Sequence, residues 1–531
     1  MRLALACIAV TLAVIAAVWV WLGTPIPMPH APLKPGEKLW CLSYAPYQGS
    51  QTPYDPATVI PAAQIEADIA QMSKITDCVR VYATDQGLDQ VVPIAKRYGM
   101  QVLQGAWVSN DPVKTRIQID AALAIAERYP ETVRAIIVGN EALLRGDISG
   151  PDLAALIRDV KAKSKVPVTY ADVWEFWLRS PEVAANVDFI TIHILPYWED
   201  FPIPARQAAE HVDAIRKRIA AAFAPKDVVI GEVGWPSQGR MREGALPSPA
   251  NQAEVIQDVL ALAARENYRV NVIEAYDATW KRAQEGVVGG YWGLFDAGHR
   301  QMKFVWGAPV SNHPEWKWQA AGGMVFALLV FGVAFWTRRG DTPSWLWPAI
   351  SLNALAGGIT IGWTIANVPI ESIGAGGWVR LLALAIAAFC APLVVTAAMM
   401  RGVAVPPLSR LLGPASARTR DPVVAAVALL AILTLLVSIV TALGLVFDPR
   451  YRDFPFAPLT AAIVPFFVHS VFMPRPTGPR GVTEVGGALI LAASALYIVP
   501  NETVHNWQAL WLGALLVLSA ISLVRVRVAQ S

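Results

Sequence analysis

The sequence predicts an α/β chain: a (β/α)8 TIM barrel outside the cytoplasm, flanked by one N-terminal and about seven C-terminal transmembrane α-helices. Three observations carry this reading. Between Lys38 and Lys303, short β-rich runs alternate with amphipathic helical stretches, the pattern of a parallel sheet covered by helices. The 531 residues are 54% apolar and only 16% charged, too apolar for a wholly soluble protein. From Trp318 onward the composition turns abruptly to long uncharged runs.

At the N-terminal end, Leu3 to Leu22 is an uncharged run long enough to span a bilayer, preceded by Arg2. No small-x-small cleavage site follows it; Pro25-Ile26-Pro27-Met28-Pro29 does, which favours an uncleaved anchor over a removed signal peptide. Seven more apolar spans are expected near 319–336, 345–367, 378–400, 422–446, 457–473, 484–499 and 507–524. Basic residues are retained on the cytoplasmic side. Threading the chain with Arg2 inside also puts Arg338, Arg339, Arg401, Arg410, Arg418, Arg420, Arg475, Arg480, Arg525 and Arg527 inside, and leaves Arg380, Arg450 and Arg452 outside. Both termini are therefore expected in the cytoplasm and the barrel outside, which in a Gram-negative bacterium means the periplasm of a multi-pass inner-membrane protein. The expected organisation is an anchor over 1–24, a Pro-rich linker over 25–38, the barrel over 39–315 and a multi-span membrane domain over 316–531.

Within the barrel, strands are expected near 39–44, 78–83, 101–107, 134–140, 166–172, 188–193, 227–232 and 270–276. Helices are expected at 61–75, 86–98, 113–128, 151–164, 174–185, 205–222 and 249–266, several with Pro or Asp at their starts. Cys41 and Cys78 stand just upstream of strand-like Leu42–Tyr44 and Val79–Tyr82. Consecutive parallel strands are close enough for a bridge, and an oxidising compartment permits one; two buried thiols are the alternative, and both readings stay open. Cys7 and Cys390 fall in apolar spans.

Two strand tips carry the chemistry. Val229-Ile230-Gly231-Glu232-Val233-Gly234-Trp235-Pro236-Ser237 puts a carboxylate at the end of an apolar run, just before a break, as a barrel presents a side chain on its active face. Ala135-Ile136-Ile137-Val138-Gly139-Asn140-Glu141 does the same on the fourth strand. Two such glutamates point to glycoside hydrolysis, in which one acid protonates the leaving oxygen and the other carboxylate attacks the anomeric carbon or activates water. One glutamate at a strand end is more often an ordinary surface acid; two at these strands, in these contexts, favour catalysis. GNE and GEVGWPS together resemble the signature of glycoside hydrolase family 17, the β-1,3-glucanases and glucanosyltransferases, over roughly Leu39 to Met302. The resemblance implies Glu141 as acid/base and Glu232 as nucleophile of a retaining pair.

Other strand ends supply aromatic and polar groups suited to a glucan, whose ring faces are apolar and whose rims are polar. Asn140 is placed to meet a sugar 2-hydroxyl. Tyr44 and Tyr82 resemble first- and second-strand residues of the family. Arg80 supports the floor of the site or pairs with an inner carboxylate. Thr191-Ile192-His193-Ile194-Leu195-Pro196-Tyr197 resembles a sixth-strand motif that reads Asn-x-Tyr-Pro-Tyr in plant members; Tyr197 matches, whereas His193 and Leu195 depart from it. His193 either orients Glu232 or is a hydrogen-bonded interior histidine. Glu274 is a third carboxylate at the mouth, assigned to hydroxyl binding. Trp235, Trp280 and Trp292 either stack on sugar rings or plug the barrel top.

No metal is implied, since no histidine pair stands at ligand spacing with a third donor, and no cofactor is expected. The net charge of +3 is mostly topological arginine, and nothing reads as nucleic-acid binding. The membrane half has almost no ionisable residue at mid-depth, which argues against an ion-coupled transporter. Its cytoplasmic loops are too short to house a nucleotide-sugar-binding domain. Small residues at Ala356-Gly357-Gly358 and Gly374-Ala375-Gly376-Gly377 permit close helix packing or docking of a partner such as a membrane glucan synthase. The architecture resembles bacterial proteins described as β-(1→6)-glucan synthases of the cyclic or periplasmic glucan pathway. That implies a preformed β-glucan as donor and transglycosylation as chemistry. A hydrolase-only endo-β-1,3-glucanase and a catalytically silent glucan-binding or transport accessory are the alternatives.

Overall fold

The structure is a computed structural model and describes all residues except 339, 341, 407, 409–420, 474–480 and 526–531. The chain divides into two units. One comprises Ile26–Gly239 and Gly244–Val310; the other gathers Met1–Pro25, Arg240–Glu243 and Ser311–Ser531.

The first unit is a closed barrel of eight parallel strands in chain order: β1 (Cys41–Ser43), β2 (Cys78–Val81), β3 (Gln101–Ala106), β4 (Val133–Asn140), β5 (Val168–Val173), β6 (Ile190–His193), β7 (Val228–Val233) and β8 (Arg269–Val272), the last pairing back onto β1. The β-branched runs seen in the sequence are these strands, buried because helices cover the barrel outside and side chains fill it within. Helix starts follow local chemistry. Asp111 accepts from the Val113 and Lys114 amides ahead of Pro112, and Ser149 and Ser248 cap the helices that open at Gly150 and Pro249.

Three elements differ from expectation. The helix expected over 174–185 is two, Trp174–Arg179 and Pro181–Asn186, because Pro181 disfavours helical backbone at Ser180. The eighth strand stops at Val272 rather than 276. Beyond it, the Ala275 amide donates to Ser43 and the Leu294 and Phe295 amides donate to the carbonyls of Glu274 and Ala275, so this stretch leaves the sheet to pair with the segment after Gly293. A short turn at Thr279–Lys281 and a helix at Arg282–Gly289, not anticipated, follow it.

Cys41 and Cys78 form a disulfide between the first residues of β1 and β2, which decides between the two readings. Closing a loop of this length is worth about 4 kcal/mol on the chain-entropy model. Cys7 and Cys390 are free.

In the second unit, seven described helices are long and apolar enough to cross a membrane: Arg2–Gly23, Trp316–Thr337, Leu346–Glu371, Gly374–Met400, Pro422–Phe447, Val482–Glu502 and Trp507–Val524. Phe456–Phe472, where a span was also expected, is apolar but shorter. Gly357 and Gly358 pack as anticipated: a Cβ on Gly357 would stand 2.3 Å from the Phe326 ring, and one on Gly358 2.5 Å from Ile15. In the second small-residue run Gly374 and Gly376 meet nothing within 4 Å, and a Cβ on Gly377 would stand 3.4 Å from the Ser372 backbone. Of the arginines used to orient the chain, Arg339, Arg410, Arg418, Arg420, Arg475, Arg480 and Arg527 lie outside the described residues.

Candidate active site

Glu232 sits on β7, facing the inside of the barrel near its C-terminal mouth. Its Oε1 accepts from Arg80 Nη1 at 2.8 Å and lies 2.9 Å from the Tyr82 hydroxyl. The same Arg80 nitrogen donates to the Gly231 carbonyl at 2.8 Å, and Nη2 donates to Asn140 Oδ1. Asn271 of β8 reaches the Gly231 carbonyl at 2.6 Å and Ser43 Oγ at 2.8 Å, and Ser43 in turn meets the Tyr82 hydroxyl at 3.0 Å. Burial works against ionisation of Glu232. The His193 imidazole, the charges of Arg80 and Lys281 and the Tyr82 hydrogen bond outweigh it, so its carboxyl lies below the ordinary glutamate range.

Glu141 follows the last residue of β4 with φ of 52°, in the left-handed region, two residues after Gly139 at φ of 91°. Its backbone is held from three sides. The Glu141 amide donates to the Ala171 carbonyl at 2.8 Å, the Arg145 amide to the Glu141 carbonyl at 2.9 Å, and the Leu143 amide to the Tyr170 hydroxyl at 2.9 Å. The Arg145 guanidinium donates to the carbonyls of Asn140 and Val108. Glu141 Oε1 lies 2.9 Å from His193 Nδ1, while His193 Nε2 is 3.7 Å from Glu232 Oε1. One donor atom from each of Glu141, His193 and Glu232 lies within 4.8 Å of the others. The side chain of Glu141 keeps 23% of its surface against 6% for Glu232, so Glu141 is the one open to the cleft.

A second carboxylate group closes the other side. Glu274 is buried, with both oxygens 3.0 Å from Lys281 Nζ. Burial raises its pKa in spite of Lys281, and the charges of Glu232 and Asp277 add to the effect. Burial alone would discharge Lys281, but Glu274, Glu285 and Glu232 reverse that and hold it protonated. Glu285 is pushed up to about 7 by burial, opposed by Lys281 and reinforced by the charges of Glu274, Glu141 and Glu232. Trp280 stands beside this cluster, half-buried, with Tyr47 and Tyr54 edge-on at 5.6 Å each and Lys281 Nζ 5.5 Å from its ring centre.

The structure thus brings together Glu141, Glu232, Asn140, Arg80, Tyr82, His193, Glu274 and Trp280 of the residues expected from sequence. Arg80 does both things foreseen for it, supporting the floor through Gly231 and pairing with Glu232. His193 bonds Glu141 rather than orienting Glu232. Tyr44 is placed differently: its ring is buried and its hydroxyl donates to Asp68 at 2.8 Å, beside Arg300. Tyr197 packs edge-on against both Trp235 and Trp292, at 6.0 and 6.2 Å, and all three are too buried to present a ring face. Lys281, Glu285, Tyr47 and Tyr54 were missed. Lys281 and Glu285 stand one helical turn apart directly after Trp280, a spacing that signals a shared face once a helix is recognised there.

Residues 41–293 match the model of the BtgE/BtgC glycoside hydrolase domain. The barrel is glycoside hydrolase-like. A glucan 1,3-β-glucosidase of Arthroderma benhamiae is 29% identical over 263 residues, covering 46% of this chain and 83% of that protein. A glucan 1,3-β-glucosidase of Schizosaccharomyces pombe is 27% identical over 237 residues, covering 40% and 72%. A solved family 17 β-1,3-glucanosyltransferase from Rhizomucor miehei aligns at 24% identity with a TM-score of 0.45, over 50% of this chain and 95% of its own.

The Glu285 environment has a measurable consequence. The folded state keeps the Glu285 proton up to about pH 7, whereas an unfolded glutamate releases it near ~4.3. Between these values the native state holds the extra proton, so this group's contribution to stability is present at low pH and lost as pH rises. Glu285→Gln cannot ionise. Its Tm relative to wild type should therefore grow between pH 5 and 8, by roughly 2 °C or more, in thermal unfolding of the full chain in detergent. A difference independent of pH rejects the raised pKa.

Proposed function

We propose that the barrel is a retaining glycosidase and transglycosylase acting on β-1,3-linked glucan, with Glu232 as nucleophile and Glu141 as acid/base. The observation that carries this is the close carboxyl pair, one oxygen from each within 4.8 Å, in opposite environments. Retaining enzymes hold the two groups about 5–5.5 Å apart, whereas inverting ones leave room for water. Glu232, ionised by Arg80 and Tyr82, attacks the anomeric carbon. Glu141, facing the cleft, gives its proton to the departing oxygen. The glycosyl ester then neutralises Glu232, and Glu141 takes the proton of the incoming hydroxyl. The β-1,3-glucan substrate rests on the similarity to glucan 1,3-β-glucosidases.

Transfer over hydrolysis requires a bound sugar hydroxyl in attack geometry, since orientation raises its effective concentration to rival bulk water. Trp280, flanked by Tyr47 and Tyr54 beside Lys281, supports such an acceptor platform; Trp235 and Trp292 are too buried to serve. The apolar helices and the arginine pattern support a multi-pass inner-membrane protein with the barrel periplasmic and both termini cytoplasmic. There the donor is a preformed glucan, and the product an elongated or branched one, β-(1→6)-linked in the reading taken from the resemblance.

Glu232→Ala should lose at least about a thousandfold in turnover, and azide with an activated β-glucoside should restore part of it by forming a glycosyl azide of inverted configuration. Residual turnover above that level removes Glu232 from the role. With millimolar laminari-oligosaccharide, wild type should give elongated or branched products, and Trp280→Ala should cut the transfer-to-hydrolysis ratio about fivefold or more while slowing donor cleavage less. Shorter oligosaccharides alone would make this a membrane-anchored endo-β-1,3-glucanase. For topology, a reporter active only outside the cytoplasm should be silent after Ser531 and active near His313; equal signals at both sites contradict the orientation.

A further inference from the structure

His193 occupies a place that hydrolysis by two carboxylates does not by itself require. Its ring has no solvent exposure and is wedged between the acid/base and the nucleophile, with Nδ1 2.9 Å from Glu141 Oε1 and Nε2 3.7 Å from Glu232 Oε1. Nε2 is buried without a hydrogen-bond partner. Gly231 makes room for the ring: a Cβ there would lie 3.2 Å from Cδ2 and 3.3 Å from Nε2.

The charges around the ring fix its protons. Glu232, ionised and paired with Arg80, is the charged group nearest Nε2, and a bare lone pair directed at a carboxylate is repelled, so Nε2 carries hydrogen. Nδ1 then faces Glu141 across a single hydrogen bond, and one proton lies on that bond whether it is drawn on oxygen or nitrogen. Asp172 of β5 is the other acid near the ring. Its own oxygens are taken by the Tyr170 hydroxyl and the Leu144 and Val173 amides. Arg80 of β2 is engaged by Glu232, and Lys281 by Glu274.

We propose that His193 is a positioning residue that holds the catalytic proton jointly with Glu141, so that the general acid is a one-proton Glu141–His193 dyad. This rests on the retaining reading of the site. In the first step the dyad's proton passes from Glu141 oxygen to the glycosidic oxygen as the anomeric C–O bond breaks, its electron pair leaving with that oxygen, and the bond to Glu232 forms. In the second, the acceptor hydroxyl bonds to the anomeric carbon, the ester to Glu232 breaks, and the acceptor's proton returns to the dyad. Loss of the proton leaves a carboxylate facing a nitrogen lone pair. Losing that proton therefore costs the hydrogen bond between the two groups, a cost that a lone glutamate does not carry.

The test is the pH dependence of kcat/KM for the full chain in detergent, wild type against His193→Asn, whose amide keeps a hydrogen bond near Nδ1 but holds no proton. With a laminari-oligosaccharide donor, the basic limb should fall by about one pH unit or more in the variant, a tenfold change in proton affinity. With a dinitrophenyl donor, which needs no protonation to leave, the shift should vanish. A limb that stays in place or rises with the oligosaccharide overturns the proposal, as does an equal shift with both donors. Should His193→Asn fail to fold, nitrogen NMR of 15N-histidine-labelled wild type decides: a protonated Nε2 throughout the active pH range supports the dyad, and an unprotonated one overturns it. Failure of the azide experiment would instead remove the nucleophile, whatever the behaviour of His193.

Discussion

The buried pairing of Arg80 with Glu232 is the interaction on which the barrel mouth depends. A guanidinium and a carboxylate, each almost without solvent, are tolerable only because the remaining donors and acceptors are used: Arg80 also reaches the Gly231 carbonyl and Asn140, and Glu232 also meets Tyr82. Removing one partner from such a pair typically costs about 3–5 kcal/mol, because the other charge is left stranded. Four strands are joined through it: β2 carries Arg80, β4 ends in Asn140, β7 holds Gly231 and Glu232, and β8 adds Asn271 beneath. The geometry of Glu232 is thus set by the barrel's own closure, while Glu141, just past β4, is held by β5 and by the loop that follows it.

Around that anchor the charges are arranged in opposition. Positive groups gather on Glu232 and lower its pKa, while burial and mutual repulsion raise those of Glu274 and Glu285 around a single lysine. Two carboxylates of like intrinsic acidity are separated in this way by neighbours rather than by distance, the condition for one site to contain both a charged and a proton-bearing oxygen near neutral pH.

Much of this was legible in the chain. Periodicity located all eight strands, because a buried parallel strand writes itself as a β-branched run, and a break after Glu232 marked the barrel's open face. What was not legible involved partners distant in sequence. Nothing in Tyr44 foretells that Asp68 and Arg300 would take it away from the cleft. Nothing in Trp235 distinguishes a plug from a platform until Tyr197 is seen edge-on against both it and Trp292. The eighth strand was overextended because Ile273–Tyr276 reads as a strand, yet past the Ile273 bond to Val233 its hydrogen bonds go to Ser43 and to the 292–295 stretch. His193 is the hydrogen-bonded interior histidine of the two readings left open, but that Glu141 would be its partner was not legible: strand alternation gives the face, not which of two acids lies within reach.

The left-handed backbone at Glu141 carries a consequence of another kind. A side chain with a Cβ in that conformation costs about 1–2 kcal/mol relative to the right-handed one, a penalty glycine escapes. That cost is carried by a residue whose carboxylate bonds His193 and whose main chain bonds Ala171 and Arg145. A glycine at 141 would relax the main chain but strand the buried His193 nitrogen, so backbone and side chain pull stability in opposite directions at this one position.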